Sequence, residues 1–177
     1  MFIENNSTGL GFLGFAGDFF GSGLKAATIT PPDYILKFPA TYGDNYVTSG
    51  TQRLSATGAE IGQPVDSIVM TSHIERTVDI SGWGSLTTPM GTFDAILVDE
   101  MQITTDTTMA YAMGMGQVVD NSVDTSYNLM FWTTDASAGF PLMEFGHNGA
   151  GTIYGVSWLK ASPTTDISEN ETNFVAY

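Results

Sequence analysis

The chain has 177 residues, 42% of them hydrophobic and 12% aromatic, which is enough for one core and excludes a disordered polypeptide. Five basic residues (Lys25, Lys37, Arg53, Arg76, Lys160) face 19 acidic ones, for a net charge of −14. Nucleic acid as a partner is thereby excluded, since its phosphates need Lys and Arg, and anionic membrane surfaces are disfavoured. There is no cysteine, which removes disulfides, thiolate metal sites and thiol nucleophiles together.

β-formers (Thr, Val, Ile, Phe, Tyr, Trp) dominate, Gly occurs 20 times, and no Ala/Leu/Glu/Lys-rich window reaches helical length. The expectation is therefore all-β, a single antiparallel meander, strongly bent or a half-open barrel, of about 8–10 strands. No run of about 18 apolar residues occurs, so no membrane insertion is expected.

In chain order, residues 2–4 and 10–15 read as strands around a turn at Asn5-Asn6-Ser7-Thr8-Gly9. The glycines from Gly9 to Gly23 have GxG-like spacing, but a phosphate cradle needs a helix to follow and Pro31-Pro32 is expected to break the chain. A short strand at 34–38, a turn at Tyr42-Gly43-Asp44-Asn45 and a strand at 46–56 closed by Gly58 come next. Period-two alternation then places Ile68, Met70, Ile74, Val78 and Ile80 on a buried face, with Ser72 and Arg76 interrupting it. Val69, Thr71, His73, Glu75, Thr77, Asp79 and Ser81 fall on the wet face. Arg76 then needs a partner or an end position.

Pro89-Met90-Gly91 makes a hairpin turn between a strand through Leu86 and a return at 92–103. Further strands are expected at 107–119, 123–133, 140–146 and 152–160. The domain is drawn as 1–160, its N-terminal part truncated, with 161–177 a polar linker. No basic residue precedes Lys25, so a signal peptide is expected upstream of Met1.

Three groups of residues resemble a β-rich module of secreted Bacteroidetes proteins that precedes a type IX secretion C-terminal sorting domain. They are Lys37-Phe38-Pro39-Ala40-Thr41-Tyr42-Gly43-Asp44, the stretch from Gly84 through Pro89-Met90-Gly91-Thr92-Phe93 to Val98, and Phe131-Trp132 followed by Phe140-Pro141-Leu142-Met143-Glu144. The resemblance spans about residues 34–160. It departs at Val98-Asp99-Glu100, where the family's return strand usually ends in a basic pair. Phe174-Val175-Ala176-Tyr177 looks like the run-in to the sorting domain. The resemblance implies an extracellular or outer-surface bacterial location and, through a C-terminal domain beyond Tyr177, the type IX secretion machinery as a partner. It carries no chemistry over. The hairpin alone is also similar to periplasmic half-barrels that hold a helix or lipid in a concave sheet.

For catalysis, His73 and His147 lie far apart, and His73 on a wet face and His147 in a Gly146-His147-Asn148-Gly149 turn both read as surface histidines. No Gly-x-Ser-x-Gly elbow supports a serine nucleophile. Glu75 and Asp79, with Asp94 or Glu100 opposite, are the carboxylates a glycoside hydrolase would use. Asp120-Asn121-Ser122-Val123-Asp124 is the candidate calcium loop, without EF-hand spacing. Sequons occur at Asn6 and Asn170.

The reading is a non-enzymatic accessory or structural module of a secreted or cell-surface bacterial protein, with no catalytic residue and no cofactor. A cell-surface glycan or protein is its expected contact. The alternative is a carbohydrate- or lipid-binding half-barrel whose ligand meets Trp83, Trp132 and Trp158, with a glycoside hydrolase behind it.

Overall fold

The structure, a computed structural model, describes residues 1–135, 138 and 141–160. The expected linker, the start of the 140–146 strand at Phe140, the sequon at Asn170 and the run-in at Phe174 lie outside the described residues. Nine antiparallel strands make one sheet whose spatial order is the chain order, β1 to β9, with β1 and β9 as its two edges. They are β1 (Phe2–Asn6), β2 (Gly9–Gly17), β3 (Lys25–Lys37), β4 (Asn45–Thr57), β5 (Ser67–Thr88), β6 (Gly91–Ala112), β7 (Met115–Trp132), β8 (Met143–His147) and β9 (Ile153–Trp158). The sheet is an open all-β meander, as the composition predicts.

Several boundaries differ from the sequence reading. Pro31-Pro32 does not break the chain; both prolines lie in β3, where the register against β2 jumps from Gly14↔Thr28 to Phe12↔Asp33. Such a bulge tolerates residues that lack an N–H to donate. The segments 92–103 and 107–119 are not two strands, since β6 runs unbroken to Ala112. The reversal comes at Met113-Gly114, with φ of 51° and 75°, the pair of positive angles that a tight hairpin turn requires. The glycines of β2 serve close approach between strands: a Cβ on Gly14 (φ 134°) would stand 2.1 Å from the Ala27 carbonyl oxygen.

By its contacts the chain divides into two compact units. The first contains Met1–Ala40, Val47–Thr77 and Gln102–Thr125. Its buried apolar residues are few (Ala27, Ile29, Leu36, Ala56, Val69), and polar ones share the interior. Asp33 is fully buried, and it is the partner that Arg76 requires on the buried face of β5. Arg76 Nη2 donates to Asp33 Oδ2 at 2.8 Å, and Nε lies 3.1 and 3.2 Å from the two carboxylate oxygens. The Thr48 hydroxyl donates to Asp33 at 3.1 Å, and Gln102 Oε1 accepts from Arg76 at 2.6 Å. A single helical turn, α1 (Gly58–Ile61), follows β4. Thr57 caps it and Glu60 bonds back to the Thr57 N–H at 2.7 Å, a reciprocal capping box.

The facing of β5 also needs correction at its start. Val69 is buried and Met70 exposed, the reverse of the expected assignment, whereas Arg76, Val78 and Ile80 are buried as expected. A shift of one residue between the two stretches exchanges the faces.

The second unit contains Thr41–Tyr46, Val78–Met101 and Ser126–Tyr177. Its core is more apolar: Val78, Ile80, Val98 and Leu142 are fully buried, beside Met130, Trp132 and Leu159. Burial of each large aliphatic side chain stabilises the fold by about 1.5–3 kcal/mol. Leu142 is held at both backbone ends of its strand approach, donating to Phe131 O at 2.7 Å and accepting from Leu159 N at 3.1 Å.

Candidate functional site

The β5–β6 hairpin positions Trp83, the most exposed aromatic side chain among the described residues. Its turn forms as predicted, with Thr88 ending β5 and Gly91 (φ 140°) opening β6. The Thr88 hydroxyl accepts from Met90 N at 3.2 Å, and the Thr87 and Thr92 hydroxyls meet across the arms at 3.0 Å. Five residues before Thr88, Trp83 is 76% exposed. It lies between Gly82 and Gly84. A Cβ on Gly82 would meet Leu97 at 3.3 Å, while the space around Gly84 is open for 4 Å. The glycine before Trp83 lets Leu97 of β6 come close, and a side chain at position 84 would meet nothing within 4 Å.

A cleft of about 230 Å³ opens here, lined by Trp83, Ser85, Leu86, Ala95, Leu97 and Phe131 among others. Clefts that enclose drug-sized ligands run to about 300–1,000 Å³. This one accommodates a single ring or a short apolar group. Its chemistry is an aromatic face, aliphatic walls and one side-chain hydroxyl, with no charged side chain in the lining. Phe131 is steadied by an edge-on contact with Phe145, ring centroids 6.2 Å apart.

The other two tryptophans do not line that cleft. Trp132 is a core residue, 9% exposed, and its buried Nε1 makes no hydrogen bond among the described residues. Trp158, half-buried on β9, stands opposite Met143 and carries the Lys160 ammonium 5.8 Å from its ring centre. Alternation along a strand could not separate these three residues. Of the three, only Trp83 lies between two glycines in the sequence.

Among the carboxylates weighed for hydrolysis, Glu75, Asp79 and Asp94 are exposed, whereas Glu100 is 3% exposed and accepts from Asn128 Nδ2 at 3.3 Å. His73 is exposed, its Nδ1 3.1 Å from the Thr51 hydroxyl. His147 is not a surface turn residue. It ends β8 half-buried, with Nδ1 accepting from Gly149 N at 3.2 Å, its ring 5.5 Å from that of Tyr127 and Nε2 buried without a partner among the described residues. The proposed calcium loop is not a loop. Asp120 to Asp124 lie within β7, where the two aspartates share a face but stand about 13 Å apart along the strand, so their carboxylates do not converge. No group of three or more His, Asp or Glu that could hold a metal occurs among the described residues.

Glu60 and Tyr34 titrate away from their ordinary values, and both shifts arise from contacts that serve local structure. Glu60 is held down to about 2, first by its hydrogen bond from Lys25 Nζ at 2.8 Å and then by the Thr57 backbone. The Tyr34 hydroxyl is raised, mainly because it donates to the Glu4 carboxylate at 2.8 Å. Neither residue lines the Trp83 cleft.

Comparison with family models, with curated proteins and with solved structures gives no match for this chain.

Proposed function

We propose that this chain is a non-enzymatic accessory module of a secreted or cell-surface bacterial protein, and that it contacts glycan through the Trp83 cleft. The observation that carries this reading is the 76% exposure of Trp83 beside an apolar cleft of about 230 Å³. An indole left in water forgoes one of the largest burial gains a side chain offers. Held between glycines, it offers a flat π-face to the C–H groups of a sugar ring, and Ser85 adds a hydroxyl at the rim. The uncharged lining favours a neutral ring. Export through the type IX route rests on the resemblance of residues 34–160, and the parent gene is expected to encode a signal peptide upstream and a sorting domain downstream.

The test is a panel of neutral oligosaccharides screened by thermal shift and by tryptophan emission. A ligand that binds only the folded state raises the melting temperature, by an amount set by its concentration over Kd. Its stacking on Trp83 shifts the emission to the blue. Trp83→Ala is expected to abolish both responses while moving the melting point of the free protein little, since exposed substitutions usually stay within about 0.5 kcal/mol. A sugar bound equally well by Trp83→Ala, or no response from any sugar, refutes the proposal.

A further inference from the structure

β7 is paired on both sides over only part of its length. β8 meets it from Tyr127↔His147 to Phe131↔Met143. From residue 115 to 126 its one neighbour in the sheet order is β6, so the other edge bonds to no described strand. Every residue from Met113 to Thr125 is exposed. A free edge offers a row of unpaired N–H and C=O groups, and proteins usually protect one with Lys, Pro or a bulge. Residues 115–126 contain neither Lys nor Pro. They carry exposed valines instead: Val118, Val119 and Val123 are 53%, 57% and 62% exposed.

Alternation sorts this edge into two faces. Val119 and Val123 share one. Asp120 and Asp124 share the other with Val118, and neither carboxylate has an ion pair among the described residues. The sequence holds no Lys or Arg between Arg76 and Lys160, while acids recur from Asp79 to Glu144. A second copy of the strand would bring aspartates against aspartates, on a chain whose net charge is −14. An incoming strand with Lys or Arg at alternate positions meets the aspartates, and β-branched residues at the others meet the valines.

We propose that the 116–126 edge of β7 accepts an extended basic peptide segment by strand addition, as an interaction surface independent of the Trp83 cleft. Main-chain hydrogen bonds supply the affinity, and the aspartates select the cation pattern.

The experiment titrates the full chain into a fluorescein-labelled peptide of about ten residues, strand length, alternating Lys and Val, and reads anisotropy. Saturable binding is expected, weakening with salt, together with new hydrogen-exchange protection confined to 116–126. Asp120→Lys with Asp124→Lys is expected to weaken binding by about tenfold or more, as two reversed cross-strand pairs of ordinary strength would. The same peptide N-methylated at alternate amides keeps its charge and is expected not to bind the wild-type protein, a comparison that needs no folded variant. Equal binding by the methylated peptide, by the double variant, or with protection elsewhere would overturn the proposal. So would absence of binding, or sedimentation as a dimer with the same edge protected, which makes a second copy the occupant.

Discussion

Replacing Arg76 by Met removes the only cation among the described residues that pairs with Asp33, a carboxylate that is fully buried in the sheet. Asp33 then keeps the Thr48 hydroxyl at 3.1 Å but loses three contacts from the guanidinium, at 2.8, 3.1 and 3.2 Å. Breaking a buried pair from one side costs about 3–5 kcal/mol, because the remaining charge stays desolvated. With a urea dependence of about 1–3 kcal/mol per molar, the unfolding midpoint should fall by about 1 M or more. Removing both charges is a different perturbation. Asp33→Leu with Arg76→Met leaves no orphan ion, and a buried pair exchanged for apolar side chains is often neutral or stabilising. The double variant should recover most of the loss, with a coupling of at least about 2 kcal/mol, within the range found for contacting residues. Urea unfolding followed by circular dichroism, on the wild type, both singles and the double, completes the cycle. A loss under about 1 kcal/mol for Arg76→Met, or a double variant as unstable as the summed singles, would refute the argument.

Three further outcomes follow from local geometry. Gly14→Ala should cost about 3 kcal/mol or more in chemical denaturation, since its Cβ collides with the Ala27 carbonyl at φ 134°. Gly43→Ala, at φ 91° with open space around it, should cost only about 1–2 kcal/mol, and equal losses would show that close strand approach is not the cause. Met113→Asn should raise the melting temperature by about 2–4 °C, because Asn tolerates the left-handed φ of 51°; an unchanged or lower value refutes backbone strain there. Glu60 has a folded pKa of about 2 against an ordinary 4.5, so its contribution is complete above 4.5 and is lost as pH falls through about 2. Lys25→Met should move the Glu60 titration, followed by carbon-13 NMR, towards 4.5 and flatten stability between those values; an unmoved titration would exclude Lys25 as the main cause.

The antiparallel class and the best-bounded elements were legible because alternation and turn chemistry agree there. The expected strand 46–56 is Asn45–Thr57, and Pro89-Met90-Gly91 turns where predicted. The break expected after residue 103 failed for an instructive reason. Thr104, Asp106 and Thr107 look like turn residues, yet Asp106 bonds to Ser72 on β5, Thr107 to Asn121 on β7 and Thr104 to Gln102 within β6. Polar residues that bond across or along strands have the same composition as a loop. Thr57-Gly58-Ala59-Glu60 did spell a capping box, but Gly58 between strand residues reads as a terminator and hid it. Asp33 as the partner of Arg76 was not legible, since their meeting depends on β3 passing through Pro31-Pro32. Of the candidate site, Trp83 was named but could not be ranked above Trp132. Exposure is a property of the neighbouring strands, and only Gly82 and Gly84 hinted at it.

Because spatial order repeats chain order from β1 to β9, each strand meets its partner as soon as the next stretch of chain emerges during synthesis. Structure can then grow by accretion, each hairpin templating its successor, and no late strand has to thread between two early ones. The same layout gives evolution a simple register of change, for a hairpin can be gained or shed at either edge without rerouting the rest.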